Sequence, residues 1–355
     1  MNEVTGRFRV VWPPAVLARR KRMGSVAEMP PPPLTSFDIP FTIKQNPHLD
    51  RARAHTLNWL RGKGIVRDED DAARYVHSRV ADAVAHFYPE AGPEDLELAS
   101  DLVALFFFCD DQFDGLLGQD PGAVAQVCRR LFTVIRRRPH APPIPDPTPM
   151  ESALSELWEN CCLGMSETWR IRAVHNWADY LFANVTEAQN RVSGTLPALH
   201  GLLELRRVAV IVYVLLDLAE RVNHTEIPAF LAECQQLREM RDITAETVCL
   251  LDDVRAVERG EAGSDIHNVV LALESEYTQS RGEVIVTVRE MIEHRIRRFE
   301  RLPKGVPALC ESMGASAAAY VAVDLSVETM CWLMRGTYEW GTGDELTFDG
   351  QVAAW

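Results

Sequence analysis

An all-α domain is the fold this sequence predicts, and three observations carry the prediction. From about Phe37 to Trp340, apolar residues recur at three- and four-residue intervals, with few alternating runs that would suit a strand and no repeat period. Clusters of proline and glycine cut that pattern at spacings suited to helix connections. Hydrophobic residues make up 47% of the 355, ample for one large core. The expected architecture is about ten helices around a central apolar cavity.

Along the chain, residues 1–36 stand apart. They are locally basic (Arg7, Arg9, Arg19, Arg20, Lys21, Arg22) and end in Pro30-Pro31-Pro32-Pro33. A stiff, extended and disordered extension is the reading, with a cleavable presequence as its alternative. The helical domain follows over 37–340, with connections expected at 89–93, 118–121, 139–149, 194–197 and 303–307. Within it, Leu102 to Cys109 is unbroken apolar sequence, which reads as the inner wall of a buried helix. Residues 341–355 form a polar tail with little periodicity.

Charge narrows the partners. A net charge of −14 and a pI of about 5.2 argue against nucleic acid or an anionic membrane. The eight cysteines (109, 128, 161, 162, 234, 249, 310, 331) show no metal-binding spacing and read as reduced core thiols of a cytoplasmic protein. The N-terminus lacks the apolar run of a signal peptide, and no segment is expected to span a membrane.

The chemistry starts at Asp110-Asp111-Gln112-Phe113-Asp114. Asp110 and Asp114 are four residues apart, so on a helix they share one face, about 40° from each other. Two carboxylates at the end of so apolar a helix are costly unless a cation neutralises them. Oxygen ligands on a rigid helix suit Mg²⁺, which takes one or two carboxylates and completes its shell with water and substrate phosphate. The competing reading is a solvated helix end.

More landmarks follow in order: Phe37-Asp38-Ile39-Pro40-Phe41, Asn46-Pro47-His48, Tyr88-Pro89, Glu187, Asn190, Arg191, Leu203 to Arg207, Asp252-Asp253-Val254, His267-Asn268, and Trp332 to Gly336 with Trp340. Together with the aspartate motif, they make residues 37–340 resemble the bacterial class I terpene synthases. The resemblance implies Mg²⁺-dependent ionisation of a prenyl diphosphate, most often farnesyl diphosphate, and cyclisation to a sesquiterpene with release of diphosphate. It implies three Mg²⁺ ions, with Asp110 bridging two and Asp111 or Asp114 assisting. Arg206 lies 46 residues before Asp252, where the family carries its diphosphate-sensing arginine. A guanidinium fork suits that anion. Phe106, Phe107 and Trp332 are the expected aromatic walls for a carbocation. A homodimer is compatible with the family.

The second metal motif departs from the family pattern. Its three ligand positions fall on Asp252, Ala256 and Gly260, and the latter two carry no side-chain oxygen, so fewer than three ions are an open alternative. Arg259 matches the basic residue that usually precedes the glutamate and is an expected diphosphate contact. A one-residue rotation would recruit Asp253 and Glu261 as ligands instead. The helix break after the sensor reads Ala209-Val210-Ile211 where a small residue is usual. Leu346-Thr347 replaces the late Arg-Tyr pair that contacts diphosphate. These losses keep a second function open: a weak or inactive homologue that binds a prenyl diphosphate or a partner protein. A chain-elongating prenyltransferase is disfavoured, because it would need a second DDxxD motif.

Overall fold

The computed structural model describes residues 37–138, 142, 144–260, 262–263 and 266–342, within a compact unit that begins at Phe37. The expectations for residues 1–36, Glu261 and Leu346-Thr347 lie outside the described residues. Among those residues there are fifteen α-helices and no strand, more pieces than the ten expected. The surplus comes from breaks without proline or glycine and from short helices of one or two turns.

The first half is α1 (Leu49–Gly62), α2 (Glu69–Ser78), α3 (Val80–Phe87), α4 (Pro93–Asp114), α5 (Pro121–Ile135), α6 (Pro149–Cys162) and α7 (Glu167–Ser193). Their starts follow local chemistry. Asp68, Asp120, Thr148 and Ser166 each accept a backbone N–H of the turn they cap, and α4, α5 and α6 begin with proline. Arg79 separates α2 from α3 in the left-handed conformation, φ 52°.

The second half is α8 (Leu199–Ala209), α9 (Val212–Val222), α10 (Ala229–Ala232), α11 (Gln235–Glu258), α12 (Val269–Tyr277), α13 (Arg281–Phe299), α14 (Val306–Ser312) and α15 (Ala317–Thr342). Two apolar clusters share α11. Its first half (Leu237, Met240, Ile243) packs in the larger one with α3, α4, α6 and α7. Its second half (Leu250, Leu251, Val254, Val257) packs with α8, α12 and α13. The end of α11 is therefore held from several sides.

The expectation that no segment could span a membrane is corrected at α15. Ala317–Gly341 is long and apolar enough by length and composition, although half of that window is buried inside the protein. Its apolar residues Ala322, Val323, Met330, Leu333 and Met334 are buried. They belong to the larger core, where α15 packs on α3 and α11. A helix buried in the core needs the same composition as one in lipid. α15 also runs through Gly341 and Thr342, which the sequence reading assigned to the tail.

Candidate active site

The aspartate motif forms the last turn of α4, and its three acids divide between two faces. Asp110 keeps some exposed surface, but protein crowds its carboxyl and charge rings it. Desolvation pushes its carboxyl well above the usual range, and Asp114, Glu187 and Asp252 push the same way while Arg206 opposes them. Asp114 shares α4 and the other neighbours come from α7, α8 and α11, so Asp110, Asp114, Asp252 and Arg206 belong to one electrostatic cluster. Asp111 turns away. It pairs with Arg74 of α2 at 3.1 Å and lines a separate cleft of about 560 Å³ with Arg67, Asp71 and Arg130. Along one helix, 100° per residue accounts for this split.

A relay of ion pairs joins the motif to Arg206. Arg191 of α7 donates to Asp114 at 2.7 Å and to the Phe113 carbonyl at 2.9 Å. It also stands 3.8 Å from Glu187, four residues back on its own helix. Glu187 lies 3.5 Å from Arg206, whose other Nη donates to Asp253 at 2.7 Å. Glu187 and Arg191 entered the sequence reading only as landmarks; their four-residue spacing was the signal that they act together. Arg207 points elsewhere, pairing with Glu246 and Asp242.

Asp253 is not available to a metal. It is buried, accepts the N–H of Val269 at 2.7 Å and binds Arg206, and desolvation raises its carboxyl to about 6. α11 stops at Glu258, and Gly260 takes φ 71°.

The aromatic candidates each have their own packing partners. Phe106 is packed 4.6 Å from the Trp177 ring and 5.0 Å from Tyr180, deep in the core. Phe107 is half-buried one residue on, 5.8 Å from Phe108. Trp332 is buried on α15. It lies under the ammonium of Lys44, a surface group, with Nζ 5.2 Å from the ring centroid. Arg259 donates to the Gly341 carbonyl at 3.3 Å, which ties the end of α11 to α15.

A divalent ion suits one side of this site and not the other. Among the described residues, no three His, Cys, Asp or Glu side chains form a ready metal group. Crowded carboxylate oxygens at Asp110 and Asp114 nevertheless suit Mg²⁺, which needs few protein ligands when phosphate and water supply the rest. At α11, Asp252 is paired 3.1 Å from Arg255, and Ala256 and Gly260 offer no oxygen. Between α8 and α9, Ile211 sits at φ 60°, a strained conformation for a β-branched residue.

Comparison with known proteins agrees with this arrangement. Residues 101–298 match the family described as terpene synthase family 2, C-terminal metal binding. Pristinol synthase of Streptomyces pristinaespiralis is 35% identical over 325 residues, 89% of this chain and 85% of that protein. The (-)-beta-caryophyllene synthase of Saccharothrix espanaensis, described as (2E,6E)-farnesyl diphosphate cyclizing, is 32% identical, with 87% of each chain covered. The crystal structure of linalool/nerolidol synthase from Streptomyces clavuligerus with 2-fluorogeranyl diphosphate superposes with a TM-score of 0.76 at 30% identity, covering 87% of this chain and 99% of that one. An all-α fold, an aspartate-rich helix end grouped with a half-buried arginine, and likeness over most of the chain have one explanation: this protein belongs to the terpene synthase family.

Proposed function

We propose that the chain ionises a prenyl diphosphate, farnesyl diphosphate in the first instance, and cyclises the resulting cation to a sesquiterpene with release of diphosphate. The observation that carries this reading is the gathering of Asp110, Asp114, Asp252 and Arg206 from three helices into one charged cluster. Magnesium bound at Asp110 and Asp114 would supply electrostatic stabilisation of the departing anion. Arg206 donates to the diphosphate, and Glu187 and Asp253 hold its guanidinium in place. Phe107 offers a ring face to the cation, and the apolar surroundings of α4 keep water from quenching it. A cytoplasmic location belongs to the same proposal, and so does a homodimer.

The choice of a C15 substrate draws on the relatives' names. Incubation with C10, C15 and C20 diphosphates and Mg²⁺, followed by analysis of volatiles, should give a sesquiterpene from the C15 substrate. Asp110→Asn and Arg206→Lys should each lower kcat/KM by about 100-fold or more. Silence with every substrate, while a related active synthase works alongside, removes the proposal. A second reading, a homologue that binds a prenyl diphosphate without turning it over, is favoured by one observation: α11 ends where a third ligand would be needed.

A further inference from the structure

We infer that Arg255 takes the place of the cation a second metal motif would hold, so that the α11 side of the site grips diphosphate directly through a guanidinium. This rests on the function proposed above and goes beyond it, because it assigns an anion-binding role to a residue that no motif marks.

Three observations converge on Arg255. Its Nη2 stands 3.1 Å from Asp252 Oδ1, so the carboxylate that would bind a metal already has a counter-charge. Asp252 is one of the groups acting on Asp110, which puts the pair at the charged cluster. The remaining ligand positions, Ala256 and Gly260, hold no oxygen with which to recruit an ion.

The guanidinium is also held in one orientation. Its carbon lies 3.7 Å from the centroid of the Trp340 ring, and Trp340 is fixed in turn by an indole N–H donated to the Ser78 carbonyl at 2.9 Å. A Cβ at position 341 would stand 3.3 Å from Arg255 Cδ, so the α15 backbone closes over the side chain. Arg255 Nε is buried without a hydrogen-bond partner. A guanidinium carries five N–H donors, and one is spent on Asp252. A fixed, planar, under-used fork is the side chain best suited to a two-point grip on phosphate oxygens. A purely structural arginine clamping α11 to α15 is the competing account, and it predicts no effect on anion binding.

The test uses the full chain with Mn²⁺ and inorganic diphosphate, with bound manganese counted by electron paramagnetic resonance and diphosphate affinity measured by calorimetry. The unaltered protein should bind fewer than three ions per chain at saturating diphosphate. Arg255→Ala should weaken diphosphate binding about 10-fold or more without changing the ion count. Arg255→Lys keeps a positive charge but loses the fork, and should fall between the two; it carries the test if the alanine variant does not fold. Three bound ions in the unaltered chain would overturn the inference, and so would an unchanged or tighter diphosphate affinity in the variants. Failure of the underlying function looks different: no manganese bound at all, and no response to Asp110→Asn.

Discussion

Single residues at this site carry two kinds of constraint, and two glycines separate them. Gly194 ends α7 at φ 63° with open space around a would-be Cβ. Gly194→Ala should therefore cost only the left-handed backbone penalty, roughly 1 kcal/mol, and leave turnover unchanged. Gly118 is different. A Cβ there would stand 1.8 Å from the Phe113 carbonyl and 2.6 Å from Arg191 Nη1. Gly118→Ala must push apart the contact that holds Arg191 on Asp114, at about 1–3 kcal/mol. Urea unfolding and steady-state kinetics on both variants should show stability loss alone for Gly194→Ala, and loss of both stability and kcat for Gly118→Ala. The acids at 110 and 114 and the guanidinium at 206 were legible in the sequence because motif and spacing mark them. Arg255 was not, since a basic residue three positions after an acid on a helix reads as an ordinary solvated pair. Only the fold brings Trp340 against it.

At the level of helices, punctuation by proline and glycine was the readable part. The connections between α3 and α4, α4 and α5, α7 and α8, and α13 and α14 lie at the expected clusters. Breaks made by ordinary residues were not readable. Arg79 and Thr278 turn the chain at φ 52° and 51°, and neither residue type announces a left-handed conformation. The contact of α15 with α3 was equally hidden. It depends on Gly336, where a Cβ would meet His86 Cβ at 2.8 Å and Phe87 Cδ1 at 3.0 Å. Gly336→Ala should force these helices apart and cost about 1–3 kcal/mol, measurable as a lower urea midpoint. An unchanged midpoint would mean that the two helices can repack.

Across the whole molecule, buried acids and net charge act in the same direction. Desolvation raises the carboxyls of Asp101 to about 6 and Glu220 to about 7, only partly offset by Thr56 and His55 around the first and by Arg172 beside the second. A carboxyl raised on folding keeps its proton longer in the native state than in the unfolded chain. Stability is therefore lost as pH rises from the ordinary carboxylate range through about 6 to 7. The net charge of −14 adds self-repulsion that eases as the pH approaches the pI of about 5.2. Glu151, lowered to about 2 chiefly by Arg130, works oppositely, and its contribution disappears only in strong acid. Urea midpoints should be higher at pH 5.5 than at pH 7.5, and Asp101→Asn should shrink that gap; a midpoint rising with pH would contradict this balance.

Asp253 gives the architecture one more consequence. A single carboxylate seats the Arg206 guanidinium on one oxygen and receives the first amide of α12 on the other. The orientation of Arg206 and the docking of α12 thus share one fastening. Changes that loosen the first turn of α12, well outside the reaction chamber, would let the arginine drift and would register as faulty chemistry rather than as a misfolded protein.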